Sequence, residues 1–133
     1  MPQLPDTAGS ARARMRLFAF LVMALITAYW GVSALYLLFL PEGTPGATAG
    51  VVIGAVLLVT AGLYALATWG VFTIRRGLHL LAIVLAALGL LQPLASTASW
   101  VNWVLAVANL AALVLLALTI PRGKPKVAAD TAD

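Results

Sequence analysis

The stretch Ile74-Arg75-Arg76-Gly77-Leu78-His79 constrains this chain more than any other, because a long apolar run lies on each side of it. An arginine at the centre of a bilayer costs about 2.5 to 3.5 kcal/mol on insertion scales, so two in succession belong at a membrane surface. The chain must then fold back at that surface as a helical hairpin. Composition agrees with this. Of 133 residues, 63% are hydrophobic and 9% charged, with a mean hydropathy of +1.05, which leaves too little polar surface to cover a soluble core. The expected class is an all-α, polytopic integral membrane protein: a four-transmembrane-helix bundle in a single domain.

Read outward from the turn, the chain divides into segments. Residues 1–15 combine two prolines, a glycine and small polar residues with arginines, and read as a disordered basic arm. The membrane domain, residues 16–120, follows. Its first helix is expected over residues 17–40, about 24 residues or about 36 Å, enough to cross the hydrocarbon with some tilt. The basic arm and apolar start resemble a signal peptide, but the apolar run is longer than a cleaved signal needs, so an uncleaved first helix is expected. Pro41-Glu42-Gly43-Thr44-Pro45 is a turn by composition, with Thr44 as an N-cap and Pro45 as the first helical position of a second helix over 45–74. The third helix is expected over 77–95, ending or bending near Leu91 because Pro93 removes a backbone donor. Ser96 to Ser99 forms the next turn, with Ser99 capping a fourth helix over 100–120. Pro121 ends that helix and opens a basic tail, residues 121–133.

The positive residues fix an orientation. All eight lie in three places: Arg12, Arg14 and Arg16 in the arm, Arg75 and Arg76 in the turn, and Arg122, Lys124 and Lys126 in the tail. The Glu42 turn and the Ser96 turn have none. Basic residues stay on the cytoplasmic side, so both termini and the Arg75-Arg76 turn are expected there, in a cytoplasmic (plasma) membrane protein with an even number of spans. The net charge of +4 marks no nucleic-acid surface, because the basic residues border apolar runs and form no patch with interleaved aromatics. Membrane lipids are the expected partners, together with a membrane-protein partner or a second copy of the chain.

Three groups of residues invite a role. Gly46, Gly50 and Gly54 recur at steps of four along the second helix, a stripe that lets backbones approach closely and points to helix packing, within the bundle or in a dimer. Asn109 lies near mid-bilayer on the fourth helix, two turns beyond Asn102 on the same face, where an amide wants a hydrogen-bond partner on another helix or its own. Tyr29, Trp30 and Ser33 lie near the middle of the first helix, whereas aromatic belts sit at helix ends. Thr60 and Tyr64 are able to meet them across the first hairpin, forming an intramembrane polar pocket for a lipid or hydrophobic solute, or simply a packed core. His79, one turn beyond Arg76, is expected to face headgroups.

Chemistry is limited by what the membrane segments hold. There is no cysteine in the chain, one histidine, and no acidic residue within any of the expected helices. No catalytic residue, metal site or cofactor is therefore expected, and an enzyme is disfavoured. Small multidrug-resistance transporters match in length and span number but depend on a glutamate in their first helix, and this first helix has none. Dual-topology fluoride channels have weak charge bias, quinone-linked disulfide oxidases need cysteine pairs, and four-helix cytochromes need paired histidines. In composition the chain is similar to small alanine- and leucine-rich bacterial four-span proteins. The expected role is a non-catalytic accessory, scaffold or interaction subunit, with a small-solute or lipid transporter or channel, acting as an oligomer, as the alternative.

Overall fold

The computed structural model describes residues 7–95 and 99–122, and all of its regular structure is helical. The helices are α1 (Thr7–Leu38), α2 (Ala47–Phe72), α3 (Arg76–Gly89), the single turn α4 (Gln92–Ala95) and α5 (Trp100–Leu118). Four segments, Thr7–Leu38, Ala47–Phe72, Arg76–Leu94 and Trp100–Leu118, are long and apolar enough to cross a membrane. Each of α1 and α3 packs against both α2 and α5, so the long helices form a ring in chain order. Cross-contacts run in opposite senses along each neighbouring pair. Phe20 meets Phe72 while Ala34 faces Gly54, and His79 meets Leu116 while Gly89 faces Asn109. The bundle is therefore antiparallel at every step, up, down, up, down.

The buried interior is built largely from alanine: Ala19, Ala34, Ala61, Ala67, Ala82, Ala86 and Ala112 are closed to solvent or nearly so, with Met23, Ile26, Val71 and Leu116 filling between them. Small side chains bring helix axes close, which matters where lipid tails are as apolar as the core and dispersion drives association. Large apolar residues such as Phe39, Leu94 and Leu25 point outward.

Several boundaries differ from the sequence expectation. Helix α1 begins at Thr7, so the arm expected to be disordered is helical over residues 7–15. Alanine and arginine are good helix formers, and extending an existing helix backward avoids the cost of nucleation. At 32 residues α1 is about 48 Å long, more than a hydrocarbon core of about 30 Å requires. Helix α2 begins at Ala47 with Gly46 at the N-cap, in place of the expected Thr44-Pro45 start. Thr44 N–H instead donates to the Pro41 carbonyl in a tight turn, and Gly43 and Gly46 supply the left-handed backbone (φ 91° and 86°) that the reversal needs. The third span breaks at Leu90-Leu91, as Pro93 leads one to expect. There Leu90, Leu91 and Leu94 N–H groups reach back three residues rather than four, tightening the chain before α4. Ser99 holds the N-cap position of α5 in extended conformation without a side-chain capping bond. Residues 96–98 and the tail from Gly123, with Lys124 and Lys126, lie outside the described residues.

The Arg75-Arg76 hairpin is closed by an unusual helix end. After Phe72, Thr73 is the C-cap and Ile74 follows at φ 59°, the left-handed position that glycine normally takes in a Schellman turn. The Arg75 N–H then donates to the Gly70 carbonyl (3.1 Å), completing the motif. A β-branched residue in this region costs about 1 to 2 kcal/mol, so Ile74→Gly should raise stability by about 1 kcal/mol. A thermal melt in mild detergent checks this; an unchanged or lower midpoint means the turn is not strained.

Candidate functional site

Polar groups of α2, α3 and α5 meet at one node. Tyr64 of α2 is buried, and its hydroxyl lies 2.9 Å from the Leu85 carbonyl of α3 and 3.2 Å from Asn109 Oδ1 of α5, so its single proton is shared between two acceptors. Asn109 is fully buried, and its Nδ2 donates to the Leu105 carbonyl one turn back (2.8 Å). Both ends of the amide are thus engaged. Three helices meet here because Gly89 gives Asn109 room: a Cβ at position 89 would overlap the Asn109 amide. Gly89 was not legible as a partner of Asn109. The signal was the stripe His79, Ala82, Ala86, Gly89 along one face of α3, small apart from its first member.

Above the node lies a groove of about 540 Å³ lined by Trp30, Thr60, Leu63, Tyr64, Leu85, Leu88, Gly89, Leu91 and Gln92. Trp30, Thr60 and Tyr64 from the sequence reading line it together; Tyr29 and Ser33 do not. Tyr29 turns outward and meets Trp30 edge-on (5.3 Å between ring centres, 72°), and Ser33 is half-buried elsewhere on α1. The groove is mostly apolar in effect. The Thr60 hydroxyl donates to the Val56 carbonyl (3.0 Å), leaving only its lone pairs toward the space. Trp30 Nε1 is enclosed without an acceptor among the described residues, an uncompensated donor of the kind that costs about 1 to 3 kcal/mol.

The glycine stripe separates into different roles. Gly54 is buried against α1: a Cβ there would come within 3.0 Å of the Ala34 carbonyl oxygen and 2.9 Å of Leu38 Cγ. Gly50 is tight mainly against the flexible tip of Leu40 (2.8 Å). Gly46, expected in the same packing face, makes no such contact, since nothing lies within 4 Å of where its Cβ would be; its left-handed φ serves the turn. A further polar contact joins the first hairpin lower down. Thr27 Oγ1 and Thr68 Oγ1 lie 3.4 Å apart, while each also bonds the carbonyl four residues back, Met23 and Tyr64 respectively.

His79 corrects the surface expectation. It is 1% exposed, and its Nε2 lies 2.8 Å from the Leu116 carbonyl in the last turn of α5. A carbonyl only accepts, so Nε2 bears the proton, and the ring adds a donor from α3 to a helix end whose Leu116 carbonyl also accepts from Thr119 N–H (3.2 Å). Sequence alone does not say which face of α3 turns inward; docking on α5 does.

The arginines gather at the opposite end of the bundle from Glu42. Grooves at that end bring Arg12 beside Leu118 and Arg16 beside Phe72, which joins the start of α1 to the ends of α5 and α2. Arg12, Arg14, Arg75, Arg76 and Arg122 are exposed there and Arg16 is half-buried. Among the described residues no group of histidine, cysteine, aspartate and glutamate is placed to hold a metal ion. No protein-family model matches the chain, and no characterised protein or solved structure shows significant similarity to it.

Proposed function

We propose that the chain is a multi-pass protein of the cytoplasmic membrane, with both termini and the Arg75-Arg76 turn facing the cytoplasm, and that it acts as a non-catalytic accessory or scaffold subunit. The orientation rests on the one-sided lysine and arginine and on the clustering of the described arginines at one end of the bundle. Reporter fusions in the Glu42 turn should read as extracytoplasmic.

The observation that supports a structural role is Asn109. A polar group near mid-span serves either to bind helices together or to line a path for solute, and the two uses demand different surroundings. Here the amide is sealed from solvent and committed to Tyr64 and to its own helix. Asn109→Leu should therefore change stability by about 1 kcal/mol or less, since the hydrogen bonds and the desolvation cost are lost together and Tyr64 keeps the Leu85 carbonyl. Association with a partner should survive. Affinity purification from native membrane in mild detergent, with wild type and Asn109→Leu side by side, provides the test: a protein recovered equally with both supports the subunit reading.

The groove beside Trp30 favours a second reading, a small-solute or lipid transporter or channel acting as an oligomer. That reading expects no stable partner of different sequence and a loss of flux in Asn109→Leu while the protein stays folded.

A further inference from the structure

The outer face of the α1–α2 hairpin has a groove with a cation at one end. Near the arginine-rich end a space of about 210 Å³ is bordered by Arg16, Phe20 and Phe72. It adjoins a second, of about 320 Å³, that shares Phe20 and continues down the hairpin from Phe20 and Trp69 past Ala24 to Ala28 and Ala65. Ring contacts connect the two: Phe20 to Phe72 at 5.6 Å and Phe72 to Trp69 at 6.0 Å. The lower part is lined by alanines because the side chains there are too short to fill the gap between the helices. Its two hydroxyls, on Thr27 and Thr68, are turned to backbone carbonyls, so the wall is apolar.

We propose that this groove is a binding site for an anionic phospholipid, with its phosphate at Arg16 and one acyl chain along the alanine-lined channel. The proposal rests on the membrane reading above. Arg16 is half-buried, its Nε is enclosed without a partner, and the side chain makes no ion pair among the described residues. Its stem lies against apolar surface where the first long apolar run begins, the position from which an arginine reaches the headgroup layer. A guanidinium offers paired donors that match phosphate oxygens, and Arg75 and Arg76, just beyond Phe72, add positive field at the same level. The only described acidic residue, Glu42, is at the other end of the bundle, so nothing described competes for the arginine. A lipid supplies both the anion and the chain.

Trp69 borders the channel and reports on it directly. In a variant retaining only Trp69 (Trp30, Trp100 and Trp103 changed to Phe), reconstituted in vesicles, quenching by phosphatidylglycerol brominated on its acyl chains should exceed that by brominated phosphatidylcholine, with an apparent preference of about fivefold. Arg16→Gln should remove the preference, and added inorganic phosphate should leave it intact. A companion variant retaining only Trp100, which is 77% exposed, should be quenched by both lipids alike. Equal quenching of Trp69 by the two lipids, a preference that survives Arg16→Gln, or one abolished by free phosphate overturns the site. Trp69 shielded from both lipids while Trp100 is quenched also overturns it, showing a protein surface over the groove. Quenching of neither tryptophan defeats the membrane reading itself. Native mass spectrometry of the unsubstituted protein gives an independent measure: phosphatidylglycerol retained on wild type should be lost from Arg16→Gln.

Discussion

Gly70→Val is expected to be the most destabilising single change in this protein, at about 3 kcal/mol, because it inserts volume where two backbones already touch. Gly70 is buried at the last turn of α2, and a Cβ there would overlap Leu78 Cβ and come within 3.1 Å of the Leu78 backbone carbons. A flexible side-chain tip could rotate away; a backbone has to move. Moving it tilts α3 off α2 and pulls on the Arg75 N–H bond to the Gly70 carbonyl that closes the hairpin. A compensating truncation should fail for the same reason: Leu78→Ala keeps the Cβ that collides, so the double variant should stay as unstable as the single. Thermal unfolding in mild detergent measures both, and a wild-type midpoint for Gly70→Val would show that α3 does not approach so closely.

Gly89→Ala is the second large effect and should behave in the opposite way on compensation. The new methyl would overlap the Asn109 amide, costing about 1 to 3 kcal/mol through overpacking and through the displaced bonds to Tyr64 and Leu105. Here the obstacle is the end of a side chain. Asn109→Ala removes all of the atoms concerned, while the Tyr64 hydroxyl keeps the Leu85 carbonyl as its acceptor. The double variant Gly89→Ala/Asn109→Ala should therefore be more stable than Gly89→Ala alone, with a favourable coupling energy of about 1 kcal/mol or more in a double-mutant cycle. Simple additivity of the two changes would separate Gly89 from the polar node.

The two cases show which parts of the site were readable from sequence. Asn109 stood out because an amide in an apolar run must find a partner, and Trp30, Thr60 and Tyr64 stood out as polar-edged residues at mid-helix. That Tyr64 is the partner, and that Gly89 makes space for both, depends on how α2, α3 and α5 are rotated about their axes. Rotation is set by packing among many small residues, and in segments that are apolar all round no amphipathic stripe announces it. Tyr29 and Ser33 are close to Trp30 along the chain, but α1 turns them to other faces.

What the sequence determined by itself is the number and order of the four segments long and apolar enough to cross a membrane, and the places where the chain reverses. Those follow from local costs: charge is expensive in hydrocarbon, and an apolar run of this length placed there becomes a helix because every backbone group must find its bond within the segment. Only the tertiary structure decided that Gly46 serves a turn while Gly54 serves packing, that Ile74 takes a glycine's conformation, and that His79 bonds to α5 instead of facing headgroups. Each of those depends on what a neighbouring helix presents at one point. That information lies far along the chain and becomes available only when the helices dock.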